Sequence, residues 1–267
     1  MRAMRGRFSK YQGLGNDFVM LDGAQWAERE VHPDLARALC DRHRGVGADG
    51  VIRVEALGDG EVRMVIYNAD GSRPEMCGNG VRCAAAWWAD RGLLREGETL
   101  TVQSDAGPRP AALRGERGGE RWVEVAMGRA VVGAMETVRV GERECAVEVV
   151  DVGNPHGVLF DPEGEPEALA AAVRGLAVFP AGVNVELVTA LAGGGWRARV
   201  SERGVGWTQA CGTGACAVAA AAVARGRSRA GEAVTVRLDG GDLTIVVGEG
   251  GAVTMTGPAR RVFDGEL

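Results

Sequence analysis

The chain has 267 residues, of which 46% are hydrophobic and 25% charged, as in a soluble globular protein of one or two domains. Its 31 basic and 36 acidic residues give a net charge of −5, which argues against nucleic acid or an anionic membrane as the main partner. No apolar stretch approaches about 18 residues, and no apolar segment follows the basic start, so we expect no membrane span and no secretory signal.

Taken in chain order, runs rich in β-branched residues alternate with a few helical segments. The predicted strands are Phe18–Leu21, Val51–Val54, Glu61–Tyr67, Thr99–Gln103, Val147–Val150, Asn184–Val188, Trp196–Val200, Val234–Leu238 and Leu243–Val247. The predicted helices are Pro33–His43, Gly78–Arg91, Pro166–Leu176 and Gly212–Arg225. The second and fourth helices are rich in alanine and should be buried. We therefore predict an α+β fold in which a curved, barrel-like mixed sheet wraps around a central helix in each half.

The two halves share a repeated motif. Cys77-Gly-Asn-Gly and Cys211-Gly-Thr-Gly each open an Ala-rich stretch that ends in Arg-Gly, and seven of the sixteen positions from each cysteine are identical. The same 134-residue offset aligns Gly50 with Asn184 and Asn68 with Glu202, and an offset of 138 aligns Asn16 with Asn154. The alternative is two unrelated glycine turns. We predict two pseudo-symmetric, duplicated domains, residues 1–118 completed by 258–267, and residues 119–257, with the boundary near the polar stretch 114–121.

Each motif cysteine is predicted to lie at the N-terminus of a helix. The unpaired N–H groups and the positive end of the dipole there favour anions and lower the pKa of a thiol from about 8.5 towards neutrality. Two such thiols facing one pocket can remove a proton from one face of a carbon and return one to the other. The alternative is that both are buried cysteines that only pack before a helix.

The remaining cysteines and the scarcity of lysine limit the cofactors. With six cysteines and no signal segment, we expect a cytoplasmic protein whose thiols are reduced, with Cys40, Cys83, Cys145 and Cys216 as buried apolar residues. The cysteine spacings and three histidines do not resemble a zinc site, so no metal is expected. Lys10 is the only lysine, which makes a lysine-anchored pyridoxal cofactor improbable. We expect no cofactor.

Several motifs in order resemble one known family. They are Gly13-Leu-Gly-Asn-Asp-Phe18, Tyr67-Asn-Ala-Asp-Gly-Ser72, Cys77-Gly-Asn-Gly80, Gly153-Asn-Pro-His156, Val183-Asn184, Glu202-Arg-Gly204, Cys211-Gly-Thr-Gly214 and the tail from Thr256 to Glu266. Together they cover essentially the whole chain and are similar to diaminopimelate epimerase. The resemblance implies a cofactor-independent isomerase that interconverts L,L- and meso-2,6-diaminopimelate, in the synthesis of lysine and peptidoglycan precursors, by thiolate and thiol proton transfer at Cα.

The resemblance also implies roles for individual residues. Cys77 and Cys211 are the expected catalytic pair, and His156 and Glu202 are expected to tune their pKa values. The expected substrate-binding residues are Asn16, Asn68, Gly78, Asn79, Asn154, Asn184, Glu202, Arg203, Gly212 and Thr213, with the backbone N–H groups at both helix N-termini for the α-carboxylate. A solvated strand end remains an alternative for Glu202-Arg203, and turn scaffolding for His156. One departure is Gly50, where some members carry a substrate-binding Gln; a backbone contact or Asp49 is the expected substitute.

Three other functions remain open from the residues. They are a two-cysteine racemase acting on proline, hydroxyproline or another amino acid, an isomerase-like relative that uses a carboxylate base, and a thiol-pair protein that senses redox state or binds a small molecule. Glu202, Arg203 and the asparagines favour a substrate with a second amino-acid head, which proline lacks. The expected partner is that small-molecule substrate, with a homodimer left open.

Overall fold

The protein is described by a computed structural model over residues 6–267. Within that range lie four α-helices, α1 (Pro33–Cys40), α2 (Gly78–Asp90), α3 (Pro166–Arg174) and α4 (Gly212–Ala224). The same range contains sixteen strands, β1 (Arg7–Gly13), β2 (Asn16–Asp22), β3 (Gly50–Gly58), β4 (Glu61–Asn68), β5 (Thr99–Ser104), β6 (Gly107–Arg117), β7 (Glu120–Arg129), β8 (Val131–Val140), β9 (Arg143–Asp151), β10 (Pro155–Phe160), β11 (Asn184–Ala190), β12 (Trp196–Glu202), β13 (Gly206–Thr208), β14 (Ala233–Leu238), β15 (Gly241–Val247) and β16 (Ala252–Glu266). None of the helices in residues 6–267 is long and apolar enough to cross a membrane.

The chain divides into two compact units. The first extends to Ala126 and resumes at Gly257–Leu267, and the second is Met127–Thr256. Residues 1–5, which the predicted first half includes, lie outside the described residues. The division falls inside β7, whereas the polar stretch 114–121 forms the hairpin between β6 and β7, in which Arg117 pairs with Glu120. The polar composition of residues 114–121 thus reflects a hairpin turn and not the boundary between the two units.

Both units have the same strand order and orientation. In the first, β1-β2-β3-β4-β5-β6-β7-β16 returns to β1 and closes an eight-stranded barrel. Its β2–β3 and β4–β5 pairs are parallel, as are the corresponding β10–β11 and β12–β14 pairs of the second unit. The register repeats as well, because Val51 pairs with Tyr67 and, at the 134-residue offset, Val185 pairs with Ser201. The α+β fold of duplicated domains is confirmed.

A central helix is buried in each unit. Helix α2 contacts β1 to β6, and α4 contacts β8 to β12, β14 and β15. Residues 214–222 of α4 are all buried, and every one except Gly214, Cys216 and Val218 is alanine. A helix with such small side chains allows strands to approach on all sides, and larger residues would overpack the space. Burial of both Ala-rich helices is as predicted.

The four predicted helices end one to three residues later than the observed ones, with the larger differences in α1 and α3, and several strands were not predicted. Helix α1 ends at Cys40, before the predicted His43, because the Asp41 carboxylate accepts hydrogen bonds from the N–H groups of His43 and Arg44 and forms a turn. Helix α3 ends at Arg174, with Gly175 as its C-cap. The strands without a sequence prediction are β1, β6, β7, β8, β10, β13 and β16. Proline and glycine in β6, β10 and β16 obscure the strand pattern, and pairing with neighbours forms these strands instead.

Candidate active site

Both motif cysteines cap a central helix. Cys77 precedes α2 and Cys211 precedes α4, each with an extended backbone, and each sulfur accepts a hydrogen bond at 3.4 Å from the N–H of the residue three positions on, Gly80 or Gly214. A side chain there would be crowded: a Cβ on Gly80 would lie 2.8 Å from Cδ1 of Ile52, and one on Gly214 would lie 2.8 Å from Oε1 of Glu186. Both sulfurs therefore lie at the positive end of a helix dipole.

In the first unit, the amide of Asn16 lies beside Cys77. The Cys77 thiol lies 3.9 Å from Oδ1 of Asn16, which also accepts a hydrogen bond of 3.1 Å from Nδ2 of Asn79. The Nδ2 group of Asn16 donates to Oδ2 of Asp49 at 2.8 Å. Because Asp49 fixes the amide of Asn16, the carbonyl oxygen of Asn16 faces the thiol.

A cluster of charged side chains supports Asp49. Arg42 donates to both Asp49 and Asp17, and Nζ of the buried Lys10 lies 2.7 Å from Asp17. Burial raises the pKa of Asp17, but hydrogen bonds from Arg42 and Lys10 outweigh it, and the net shift is downward. Asp17 is therefore a carboxylate at neutral pH. The single lysine of the chain is committed to this ion pair.

Position 50 has no room for a longer side chain. Gly50 pairs with Asn68 across β3 and β4, and a Cβ on Gly50 would lie 2.7 Å from the carbonyl oxygen of Tyr67. Asn68 donates to Oγ of Ser72 at 2.9 Å. Asp49, the other expected substitute for the missing Gln, forms hydrogen bonds with Asn16 and Arg42.

In the second unit, a series of hydrogen bonds leads to Cys211. His156 contacts Oε1 of Glu186 through Nδ1 at 2.7 Å and Oδ1 of Asn154 through Nε2 at 3.0 Å. Asn154 donates from Nδ2 to Oγ1 of Thr213 at 3.4 Å, and that hydroxyl lies 3.5 Å from the sulfur of Cys211. His156 and Glu186 are both 0% exposed. Five residues from three separate segments thus form one polar series in an apolar interior.

Two carboxylates oppose ionisation of Cys211. Burial raises the pKa of this thiol well above its ordinary value, the negative charges of Glu202 and Glu186 raise it further, and hydrogen bonds from Thr213 and Gly214 only partly offset them. Burial also raises the pKa of Glu202, whose carboxylate accepts a hydrogen bond of 2.6 Å from Thr208. For Cys211, the predicted lowering of the thiol pKa at a helix N-terminus is therefore wrong, because desolvation and nearby charge outweigh the dipole.

Arg203 and Asn184 form a separate group at the end of β12. The backbone N–H of Arg203 donates to Oδ1 of Asn184 at 2.9 Å, and its exposed guanidinium donates to the carbonyl of Ala181 at 2.9 Å. Asn184 is paired with His156 in the β10–β11 register. The planar guanidinium is exposed to solvent, where it can bind a carboxylate.

Within each unit, the predicted residues are grouped around the cysteine. Asn16 lies beside Cys77 and is bonded to Asn79. Glu202 and Thr213 act directly on Cys211, and Asn154 and His156 are connected to it through Thr213. Sequence analysis missed the role of two carboxylates. It did not predict that Asp49 bonds to Asn16, and it did not identify the buried Glu186 at all. Alternation in β11 indicates that Glu186 lies on the same face as Asn184, which is the one signal that would have found it. No group of three or more His, Cys, Asp or Glu side chains within residues 6–267 is arranged to hold a metal ion.

Comparison with known proteins agrees with the motif pattern. The family model for diaminopimelate epimerase matches residues 8–133 and 148–262. The chain belongs to the diaminopimelate epimerase family. It is 43% identical to the diaminopimelate epimerase of Desulforudis audaxviator over 97% of this chain and 98% of that relative. It is 40% identical to that of Synechococcus elongatus, over 98% of both chains.

Solved structures of proteins with low sequence identity share the fold of this chain. A phenazine biosynthesis protein of the PhzF family from Bacillus anthracis superposes with a TM-score of 0.76 at 15% identity, over 99% of both chains. A hydroxyproline epimerase from Agrobacterium vitis, with bound trans-4-hydroxy-L-proline, gives 0.73 at 17% identity over 100% of this chain and 92% of that one. At these identities the similarity concerns the fold alone.

Proposed function

We infer that the protein interconverts L,L- and meso-2,6-diaminopimelate by moving the Cα proton, without a cofactor. The observation that carries this inference is a helix-capping cysteine at the same position of both duplicated units, in a chain of the diaminopimelate epimerase family. Such an isomerase serves the synthesis of lysine and peptidoglycan precursors, and we propose that it works in the cytoplasm.

The reaction needs one thiolate and one thiol. A thiolate takes the Cα proton, the electron pair remains on the carbon as a carbanion, and the other thiol gives its proton to the opposite face. After turnover the two cysteines have exchanged protonation states. Because its surroundings keep Cys211 protonated, we assign Cys211 as the first acid and Cys77 as the first base.

The developing charge needs stabilisation on the α-carboxylate. The backbone N–H groups of Gly78, Asn79, Gly212 and Thr213 stand at the first turns of α2 and α4, where unpaired donors favour an anion. We propose that they bind this carboxylate.

The distal amino-acid head needs a cation and acceptors. We propose that the guanidinium of Arg203 binds the distal carboxylate in a bidentate fork. Asn16, Asn68, Asn154, Asn184 and Glu202 supply amide and carboxylate oxygens, which suit the ammonium groups. This set favours a substrate with two amino-acid heads over proline.

Hydrogen exchange tests the function directly. Incubation of the cofactor-free protein with L,L-diaminopimelate in D₂O should give Cα deuterium incorporation by NMR and the meso isomer. Exchange with proline or hydroxyproline but not with diaminopimelate would assign a different racemase, and thiol chemistry without any exchange would indicate a redox or binding protein.

A further inference from the structure

Glu186 is a fully buried carboxylate with an incomplete set of partners. It is 0% exposed; Oε1 contacts Nδ1 of His156, and Oε2 has no hydrogen-bond partner within residues 6–267. Burying a carboxylate is costly, so such a residue without a structural ion pair to an Arg or Lys calls for another explanation. Its position below the first turn of α4, beside Gly214, indicates a connection with Cys211.

The duplicated unit shows that this carboxylate is not needed for the fold. The 134-residue offset aligns Glu186 with Ile52, Gly214 with Gly80 and Cys211 with Cys77. Ile52 contacts the same point of its helix, since a Cβ on Gly80 would lie 2.8 Å from Cδ1 of Ile52. An aliphatic side chain therefore fills the equivalent space in the first unit, and the acid in the second unit has a separate role.

The hydrogen bonds around His156 have a direction. Because Nδ2 of Asn154 donates to Thr213, the carbonyl oxygen of Asn154 faces Nε2 of His156, and that nitrogen must carry a proton. The hydroxyl of Thr213 accepts from Asn154 and has its own proton left to donate to the sulfur of Cys211. Each residue of the series thus donates to the next, from His156 to Asn154, from Asn154 to Thr213 and from Thr213 to the sulfur.

Glu186 fixes the start of this series. A carboxylate can only accept at Nδ1, so Nδ1 donates to Glu186, and the ring carries a proton on both nitrogens when Nε2 also donates to Asn154. Without this partner the neutral ring holds a single proton, which either nitrogen can carry. The contact of 2.7 Å between Oε1 and Nδ1 provides that partner and also holds the plane of the ring. In the first unit the position of His156 is Phe18, at the offset of 138, and its ring cannot donate a hydrogen bond to the amide of Asn16 as an imidazole could.

We propose that Glu186 is a positioning residue for Cys211: it holds His156 with Nε2–H towards Asn154, so that Thr213 donates to the sulfur when Cys211 becomes a thiolate. The charges of Glu202 and Glu186 act on Cys211, and the hydrogen bond donated by Thr213 stabilises the thiolate against both carboxylates. The proposal rests on the proposed function, in which Cys211 gives up its proton in one direction and takes one in the other.

The ring of His156 can be observed without activity. The chain has three histidines, and the other two, His32 and His43, are exposed, so ¹⁵N–¹H spectra of the side chains should resolve His156. We expect a slowly exchanging Nε2–H in the wild-type protein. A ring that carries its proton on Nδ1 alone would overturn the proposal with no variant needed, and would leave the proposed function standing.

Elimination from a halogenated analogue measures proton abstraction by each cysteine separately. In 3-chloro-2,6-diaminopimelate, a thiolate takes the Cα proton, the electron pair forms the Cα–Cβ double bond and chloride leaves, so a single base suffices. The variants Cys77→Ala and Cys211→Ala define which stereoisomer depends on which thiol. Glu186→Ile, which copies the residue of the first unit, should slow the Cys211-dependent elimination by about 10- to 10²-fold through misplacement of the donor series, with the Cys77-dependent isomer unchanged.

Two further variants identify the cause. Glu186→Gln should restore most of the rate, because its amide can donate to Nδ1 and keep the proton on Nε2. Glu148→Gln removes a buried carboxylate of the same unit that pairs with Arg225, and it should leave the ratio of the two eliminations unchanged. Equal losses for both isomers in Glu186→Ile, or a Gln variant as slow as the Ile variant, would overturn the proposal. Wild-type protein inactive on both isomers and on diaminopimelate would instead refute the proposed function.

Discussion

At the scale of single residues, the surroundings of Cys211 oppose the effect that its position at a helix N-terminus has on the pKa of its thiol. The helix N-terminus favours a thiolate, whereas burial and the charges of Glu202 and Glu186 favour the thiol. Burial and charge have the larger effect, so the pKa of Cys211 is raised. The amide of Asn16 lies beside Cys77, and Asn16 and Asn79 occupy the positions that Asn154 and Thr213 have in the second unit. Equivalent positions thus carry different electrostatics, which suits a reaction that begins with one acid and one base.

Loss of either cysteine should abolish epimerisation. In Cys77→Ala or Cys211→Ala, one face of the carbon has no group to exchange a proton, and we expect no detectable conversion of L,L- to meso-diaminopimelate. Cys→Ser should fold normally and remain slow, since a hydroxyl is a far weaker acid than a thiol. Chiral chromatography measures the conversion, and circular dichroism checks the fold. A fully active alanine variant would end the two-base assignment.

Substitution of Arg203 by Lys should weaken catalysis although the charge is retained. Lys lacks the planar fork, so we expect a loss of about 10²-fold in kcat/KM, from a charged hydrogen bond worth about 1.5–3 kcal/mol and a displaced reacting carbon. Wild-type protein should discriminate against L-lysine, which has the distal amine without the distal carboxylate. An unimpaired Arg203→Lys variant, or turnover of lysine equal to that of diaminopimelate, would contradict the assigned substrate.

Removal of the charge of Glu202 should change the pH dependence. Glu202 is the largest charge effect that raises the pKa of Cys211, so Glu202→Gln lowers that pKa. An acid must be protonated to act, and the basic limb of the kcat/KM profile should therefore move to lower pH. The control is Glu148→Gln, a buried carboxylate of the same unit that pairs with Arg225. An unmoved basic limb in Glu202→Gln would show that Cys211 is not the group that titrates there.

At the scale of elements, the first turn of each central helix is crowded at its glycine. The extended backbone at Cys77 and Cys211 directs each sulfur to an N–H of the following turn, and a Cβ at Gly80 or Gly214 would force the end of a neighbouring side chain to move. The two strands below the turns supply different neighbours, Ile52 from β3 and Glu186 from β11. The helix fixes where the thiol lies, and the strand determines its chemistry.

Gly214→Ala should damage the second unit. The added Cβ would lie 2.8 Å from Oε1 of Glu186 and 3.3 Å from the sulfur of Cys211, so the carboxylate or the helix must move. We expect a loss of about 1–3 kcal/mol in the free energy of unfolding, as for other overpacked sites, together with lower kcat. Urea denaturation and kinetics measure these two effects. Gly193→Ala is the control, because a Cβ there meets no atom within 4 Å; equal stability of the two variants would argue against a tight contact.

At the scale of the whole molecule, arginine pairs stabilise the folded chain against acid. Hydrogen bonds from Arg73 lower the pKa of Asp105, and those from Arg237 lower the pKa of Asp242, while Arg42 and Lys10 outweigh burial at Asp17. A carboxylate with a lowered pKa contributes stability that is present above its unfolded pKa and is lost as the pH falls through the folded one. Glu202 has the opposite sign, because burial raises its pKa.

The free energy of unfolding should therefore fall on acidification. Since the unfolded pKa of Asp is about 3.9, the loss should begin near pH 4 and continue below it. Urea denaturation between pH 3 and pH 7 measures it. The variant Asp17→Asn should be less stable than wild type at pH 7 and approach it at pH 3. A difference that stays constant over this range would contradict the role of the ion pairs.

The grouping of Asn16, Asn79, Asn154 and Thr213 with the cysteines followed from the family resemblance, whereas the sequence by itself determined the duplication and the two capping cysteines. These depend on glycine, alanine and cysteine at fixed local spacing, because helix formation and capping involve residues within a few positions of one another. The strands β6, β10 and β16 were missed for the converse reason, since their hydrogen bonds come from distant parts of the chain.

Only the tertiary structure decided the surroundings of the cysteines. Glu186 is one polar residue in an apolar strand, and nothing local distinguishes it from a solvent-facing acid; its contact with His156 depends on the parallel pairing of β10 with β11. The same holds for the pKa of Cys211, which local sequence alone predicted with the wrong sign. Desolvation and charge act through space between segments far apart in sequence, so they are determined only when the strands and the helix have packed together.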